Sequence, residues 1–534
     1  MRYNLVSVDS DSRLSPNRRP LHLFSVLIEI LMAGTAGEVP TRQPPNAVLP
    51  DSKWSWLVVC GNTVIGITTL GFFRCIPVYF RPIMLEFDAE FGDVAAIMGL
   101  FTLGMALGCF FLPFLTSKFG SKRTCLAAGF LLGIANIVSS QSHTLVLVQI
   151  FLGFISGCSA GILFFTSLFS SSQYFVKHRA KATGISTLGL PMGTLVIAPI
   201  LELLTTLYGW RGSLLIASGI LFHSCVSAML YRPVILAPTA PRRKSTRGSI
   251  SGIRKKSTPT ELKEFSKSKI SSDSPQFDDH DEKNPMTKLV TPTEKSDFEI
   301  TREMEVASNA QQNKNSCNST FKNKVKSIID VELFKLISYD IGLLSSIFYC
   351  SGYVGANTFL IPYALEHVHI DTLQASTILS LLGGAECVAK IVTGFLGDVK
   401  CINKCILLAI MAVVCSIIVA TITVCESYLS LAVITFAYGL FVTAYMGIIP
   451  VIFCDIVGPK KLATAVGYQG CIYNSFLALY LYLMGRLVDR TGDVRQPFYS
   501  CATLIGLTSF CLIAIFLLER RQKKVNKMLA DIES

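Results

Sequence analysis

Apolar runs of a fairly constant length alternate with short polar stretches along most of this chain. About 20 apolar residues is what carries an α-helix across a bilayer, and on that measure the pattern predicts twelve spans. They cover 54–82, 93–116, 122–141, 144–171, 180–205, 211–231, 341–364, 373–396, 403–424, 427–453, 462–485 and 497–518. The pattern stops twice. Residues 1–53 are mostly polar, with one apolar patch at 21–34 that contains His22 and Glu29 and is short for a span. Residues 232–332 are rich in Ser, Lys, Asp, Asn and Pro and poor in aromatics. Such a stretch buries too little apolar surface to offset chain entropy and is expected to be disordered.

The expected fold is therefore an all-α membrane protein of twelve transmembrane helices in two six-helix bundles. Its parts are an N-terminal tail 1–53, a bundle 54–231, a linker 232–332, a second bundle 333–518 and a C-terminal tail 519–534. Duplicated bundles of this kind place a solute site near mid-membrane, between the halves.

Composition agrees. Of the 534 residues 51% are hydrophobic and only 16% charged, against about 25% charged in soluble domains. The net charge of +12 reads as topology rather than as a nucleic-acid surface, because the basic residues gather in particular loops. Loops 117–123 and 173–181 and the tail 519–527 are basic, whereas the first loop carries Glu86, Asp88, Glu90 and Asp93. The positive-inside rule then puts both termini in the cytoplasm. Loop 486–497 should lie outside yet holds Arg486, Arg490 and Arg495, partly offset by Asp489 and Asp493.

The 17 cysteines sit mostly inside apolar runs without paired spacing, which reads as packing rather than as a disulfide framework or a metal site. No nucleotide cradle, metal-ligand spacing or nucleophile–base pair stands out, so neither an enzyme nor a bound cofactor is expected. His367 and His369 beside Glu366 read as a surface loop. Asn318-Ser319-Thr320 fits a glycosylation acceptor but lies in the linker, expected on the cytoplasmic side. Basic clusters beside serines, at 242–245 and 254–257, suit either anionic lipid or an ordinary positive flank.

The candidate chemistry is the pair Glu386 and Lys390, four residues apart inside the span 373–396. A charge at mid-bilayer costs about 2.5–3.5 kcal/mol on insertion scales and persists mostly along a solute or ion path. Positions i and i+4 share a helix face, so the acid and the base are expected to project together. They either serve transport or neutralise one another at a helix interface. Two further loops combine glycine with charge at equivalent places in the halves. Gly120 and Arg123 join spans two and three, and Asp398 follows Gly394 and Gly397 at the end of span eight. Close helix approach at glycine, with charges pairing as that end closes, makes these candidate gating residues.

Two stretches now bear on a family. Asp51-Ser52-Lys53-Trp54-Ser55-Trp56 enters span one, and the run from Tyr174 through Lys177, His178, Arg179 and Lys181 to Gly184, Gly189 and Gly193 enters span five. With Tyr208-Gly209-Trp210-Arg211-Gly212 and Asp455-Ile456-Val457-Gly458-Pro459, the chain resembles the monocarboxylate transporter family of the major facilitator superfamily across both bundles. Ser52, Lys53 and Ser55 stand where the family has glycines. Leu70 stands where better-known members have tyrosine, and Leu477-Ala478-Leu479-Tyr480 where the family often has a Pro-Pro pair.

The resemblance implies movement of a small organic anion, such as lactate or pyruvate, with a proton as coupling ion and by alternating access. It implies Arg74 and Lys390 as anion-binding residues, where the family has lysine and arginine, and Glu386 as the proton carrier, where it has aspartate. It adds Lys177, Arg179 and Arg211 to the conformational set. The expected path has the anion meet Arg74 and then pass to Lys390. A single-span glycoprotein partner and the plasma membrane are implied by resemblance alone. Because lysine lacks the guanidinium fork, a facilitator of an amino acid or other neutral solute is the alternative, with a transporter-like sensor acting through the linker as a third reading.

Overall fold

Twelve long helical segments occupy the expected spans in the computed structural model, which describes residues 48–175, 178–233, 331–396, 403–458 and 461–533. They are α1 (Lys53–Phe87), α2 (Phe91–Phe119), α3 (Ser121–Ser140), α4 (Leu145–Ser171), α5 (179–208) and α6 (210–229). The second half holds α7 (Ile337–Glu366), α8 (Thr372–Leu396), α9 (Lys404–Ile422), α10 (Tyr428–Val457), α11 (Leu462–Thr491) and α12 (Gln496–Glu533). Residues 1–47 and 234–330, with the expected tail, most of the linker, Asn318 and the two basic clusters, lie outside the described residues. Lys177 and Asp398 lie outside them as well.

Local chemistry sets the helix ends. Ser52 caps α1 by accepting from Ser55 N, Asn403 caps α9 by accepting from Cys405 N and Ile406 N, and Ser427 with Ser430 forms a capping box on α10. α5 and α6 run together except at Gly209, where φ +70° and ψ 169° turn the chain. That left-handed φ suits a residue without Cβ.

Among the described residues ten helices are long and apolar enough to cross a membrane, with 181–229 taken as one, and α7 is not among them. α7 carries Ser345, Ser346, Tyr349, Ser351, Tyr353, Asn357 and Thr358, all buried, so it is polar where it faces protein. The opposite kind of surface belongs to Phe110, Phe111, Ile417 and Phe510, which are exposed. Together the belt and the spans make this a multi-pass membrane protein.

Lipid tails are as apolar as leucine, so helices associate in lipid through close packing and hydrogen bonds. The α2–α4 crossing shows how. Gly104 and Gly108 face Gly157 and Gly161, two small-xxx-small pairs. A Cβ on Gly157 would lie 2.1 Å from the Phe101 carbonyl oxygen, and one on Gly104 would lie 2.3 Å from that of Phe154. Gly157→Val is expected to abolish recovery of monodisperse protein, whereas Gly219→Ala, with nothing within 4 Å of its Cβ position, should leave it unchanged. Size-exclusion profiles of the two variants check this. Buried polar links complete the first half, where Asn62 Nδ2 donates to Ser167 O, Ser170 Oγ and Ser171 Oγ and Tyr231 OH donates to Asn62 Oδ1.

The halves meet along two seams. On one, a Cβ at Gly99 of α2 would lie 2.8 Å from Ala478 O of α11. On the other, a Cβ at Gly383 of α8 would lie 2.8 Å from Pro191 O of α5.

Candidate functional site

The candidate site begins with an irregular helix. α1 widens into a π-helical turn at Ile67–Gly71 and tightens into a 3-10 turn at Ile76–Tyr79, leaving Arg74 on the short α-helical piece Phe72–Cys75 between them. Pro77 contributes to the change of winding, since it has no N–H for the carbonyl one turn back. Breaks of this kind concentrate at functional positions.

Arg74 points inward and is 5% exposed. Its Nη1 donates to Glu386 Oε2 at 2.5 Å and its Nη2 to Glu386 Oε1 at 2.9 Å. Glu386 is fully buried and also accepts from Tyr353 OH at 3.3 Å. The guanidinium stands 5.3 Å from the Tyr353 ring centroid. A fork of two parallel hydrogen bonds is the strong form of an ion pair, and here it joins α1 of one half to α8 of the other.

Both residues have partners the sequence did not name. Glu386, which shares α8 with Lys390, accepts from Arg74 and Tyr353. The fork of Arg74, expected to meet an anion, holds a carboxylate of the protein in this state. The local i,i+4 relation loses to a partner 312 residues away because an arginine reaching across the seam offers two aligned donors.

Lys390 goes elsewhere for a reason written in α5. Its Nζ donates to the carbonyl of Thr187 at 2.7 Å. In an unbroken helix that carbonyl would accept from residue 191, but residue 191 is proline and has no N–H. The helix Arg179–Thr187 stops there, and the next segment starts at Gly189. Lys390 therefore seats its charge on an oxygen that Pro191 sets free. Among the described residues no carboxylate lies in ion-pair reach of Lys390. The cluster thus holds two cations, buried Arg74 and half-buried Lys390, and one anion, buried Glu386.

The gating residues divide. Gly120 ends α2 with φ +79° and Arg123 is exposed beside it. Arg179 opens the first piece of α5. Arg211 does not bridge the halves. It binds Glu86 through Nη2 at 2.6 Å and Nε at 2.9 Å and donates from Nη1 to Ser140 O at 2.9 Å, while Trp210 Nε1 donates to Glu86 as well. This ties α6 to the far ends of α1 and α3 within the first half. Its place after the Gly209 turn, beside the acidic first loop, accounts for that.

Besides Arg74 and Glu386, the charges that bridge the halves sit at the end where α1 meets α2. Arg486 of α11 binds Glu90, lies 3.9 Å from Asp93 and 3.6 Å from Asp489, and Asp489 accepts from Gly92 N at 2.9 Å. Phe91 stacks on Phe359 of α7 at 5.7 Å. Two of the arginines that disturb the loop-charge pattern are thereby explained. Arg486 answers the acids of the first loop, and Arg495 binds Asp493 through Nε at 2.9 Å. That hydrogen bond holds the Asp493 carboxyl below its ordinary range.

Tyr353 and Pro191 were not singled out in the sequence, nor was the pairing of Arg486 with the acids of the first loop. A proline four residues beyond Thr187, on the helix facing the charged span, was the available signal for the Lys390 contact. The excess arginines of the loop were the signal for Arg486.

Comparison with known proteins follows the same lines. The family model described as Major Facilitator Superfamily matches residues 63–474 and 341–533. "Monocarboxylate transporter 2" of Mesocricetus auratus is 24% identical over 494 residues, covering 91% of this chain and 90% of that one. "Monocarboxylate transporter 12-B" of Danio rerio is 27% identical over 494 residues, covering 89% and 90%. The solved structure of a D-xylose-proton symporter aligns over 86% of this chain and 97% of its own with a TM-score of 0.55, at 13% identity, which bears on the fold alone.

Proposed function

Because the chain belongs to the Major Facilitator Superfamily and is a membrane transporter, we propose that its solute is a small organic anion carried with a proton. One observation carries the reading: two cations, Arg74 and Lys390, stand around one carboxylate, Glu386. An anionic solute can replace that carboxylate as the partner of the arginine fork. Protonation of Glu386 releases the Arg74 fork, and a solute carboxylate fits the vacated bidentate geometry. Proton and anion then enter together, and the pair adds no net charge to the site. Lys390, half-buried one turn along α8, offers the next cation on the path.

The seams support alternating access. The end at Glu90 and Arg486 is closed by charge and aromatic contacts, and this reading takes the state as open toward the opposite end. The loop charges support a cytoplasmic side for that open end and for both termini. A plasma-membrane location and a single-span glycoprotein escort rest on the resemblance to monocarboxylate transporters alone.

The test is uptake of labelled lactate and pyruvate by cells expressing the full chain, at acidic and at neutral outside pH. Concentrative uptake that rises in acid is expected, and Lys390→Gln should remove it. A surface-confirmed protein that moves no organic anion at either pH overturns the reading. Amino-acid uptake indifferent to pH turns it toward a facilitator.

A further inference from the structure

Beyond the charged cluster, one stretch of the second half has polar groups with nothing to bind. α7 and α10 run antiparallel in a register set by hydrogen bonds. Tyr349 OH donates to Val442 O, and Tyr438 OH donates to Tyr353 O at 3.3 Å. One turn further along α7 is Asn357, and the same step along α10 reaches Ile434 and Thr435. Asn357 is 3% exposed and Thr435 fully buried. Among the described residues Asn357 Nδ2, Asn357 Oδ1 and Thr435 Oγ1 lack a hydrogen-bond partner, as do Arg74 Nε and, further along α10, Thr443 Oγ1. Buried polar atoms are satisfied in most native structures, and each orphan costs the desolvation of its group. An amide left open at both its donor and its acceptor, opposite an open hydroxyl at the same level, is therefore built for something polar that comes and goes.

Position says what that is. Tyr353 lies against the Arg74 guanidinium, and Asn357 follows it by four residues on the same face, a rise of about 6 Å. We propose that Asn357 and Thr435 form a neutral subsite that binds a hydroxyl or amide at the far end of a carboxylate solute whose carboxylate rests on Arg74. The proposal rests on the organic-anion reading above and extends it by a chain length. A hydroxyl both donates and accepts, and the amide of Asn357 supplies the counterpart of each. A substituent next to the carboxyl carbon is too near the guanidinium to reach the subsite.

The experiment measures binding of 5-hydroxypentanoate and of pentanoate to the purified full chain, by protection against thermal unfolding, in wild type, Asn357→Leu and Thr435→Val. Both substitutions keep volume and remove the polar atoms, and the second stands in if the first fails to fold. Sites that hydrogen-bond a solute hydroxyl discriminate strongly against the analogue without it. Wild type is expected to bind the hydroxy acid at least tenfold more tightly. In the variants the ratio should fall to about one, with pentanoate binding unchanged. Equal binding of the two acids by wild type overturns the subsite and leaves the anion reading in place. So does a ratio that survives both substitutions, or an equal loss for both acids, which marks a packing role or a buried water only. No binding of either acid overturns the subsite and the anion reading together.

Discussion

Glu386→Gln and Arg74→Gln should each destabilise the protein by about 3 kcal/mol or more, and the double substitution should recover most of that loss while transport stays absent in all three. The two residues share one buried fork, at 2.5 and 2.9 Å, with 5% and 0% exposure. Removing either partner strands the other as a buried charge, which costs about 3–5 kcal/mol, whereas removing both leaves two neutral amides. Thermal unfolding of the four proteins makes a double-mutant cycle, and the recovery appears as a large coupling energy.

Uptake separates stability from function. If the pair only held α1 to α8, the double variant would regain transport with its stability. On the exchange proposed above it cannot, because it lacks both the fork for the solute carboxylate and the carboxyl that takes the proton. Acid-stimulated uptake by a well-folded double variant would remove Arg74 and Glu386 from the transport step.

Much of the fold could be read from hydropathy because bilayer thickness sets helix length independently of tertiary partners. This held even for α7, whose buried serines and tyrosines lower its apolarity, since the run from 341 to 364 keeps the length of a span. The relations between elements were not legible in the same way. Glu386 has Lys390 as its neighbour on the helix, and nothing local says that Arg74 reaches it first from the other half. Arg486 is an exception to the loop-charge rule in the sequence, and its partners Glu90, 396 residues away, and Asp93 belong to the first loop. The resemblance put Arg211 in the conformational set, and its partners Glu86 and Ser140 lie in its own half. Each case turns on which helix stands opposite, and one sequence carries no record of that. Asn357 was passed over for a related reason. A lone asparagine in a span attracts notice only when its partners are known to be missing.

The second large effect concerns Lys390 and separates its structural contact from its role on the anion path. Lys390→Met removes the donor from Thr187 O and leaves that half-buried carbonyl without it, at a cost of about 1 kcal/mol. Pro191→Ala returns an N–H to position 191, which can close the helical bond to Thr187 O and release Lys390 from it. In the double variant the carbonyl is satisfied from its own helix and no cation is stranded. The two substitutions should therefore be non-additive, with Pro191→Ala rescuing the stability that Lys390→Met loses. Transport should follow the lysine and not the stability. Pro191→Ala is expected to keep acid-driven uptake, with the freed ammonium open to the solute, while Lys390→Met and the double variant lose it by about 100-fold or more, the loss of one charge-assisted contact of about 2.7 kcal/mol. Unfolding midpoints and initial uptake rates of the four proteins decide the matter. If the double variant regains both stability and uptake, Lys390 serves only to cap the carbonyl that Pro191 exposes. If it regains stability alone, the lysine acts on the solute, and the proline in α5 keeps its charge parked on a neutral oxygen until an anion arrives.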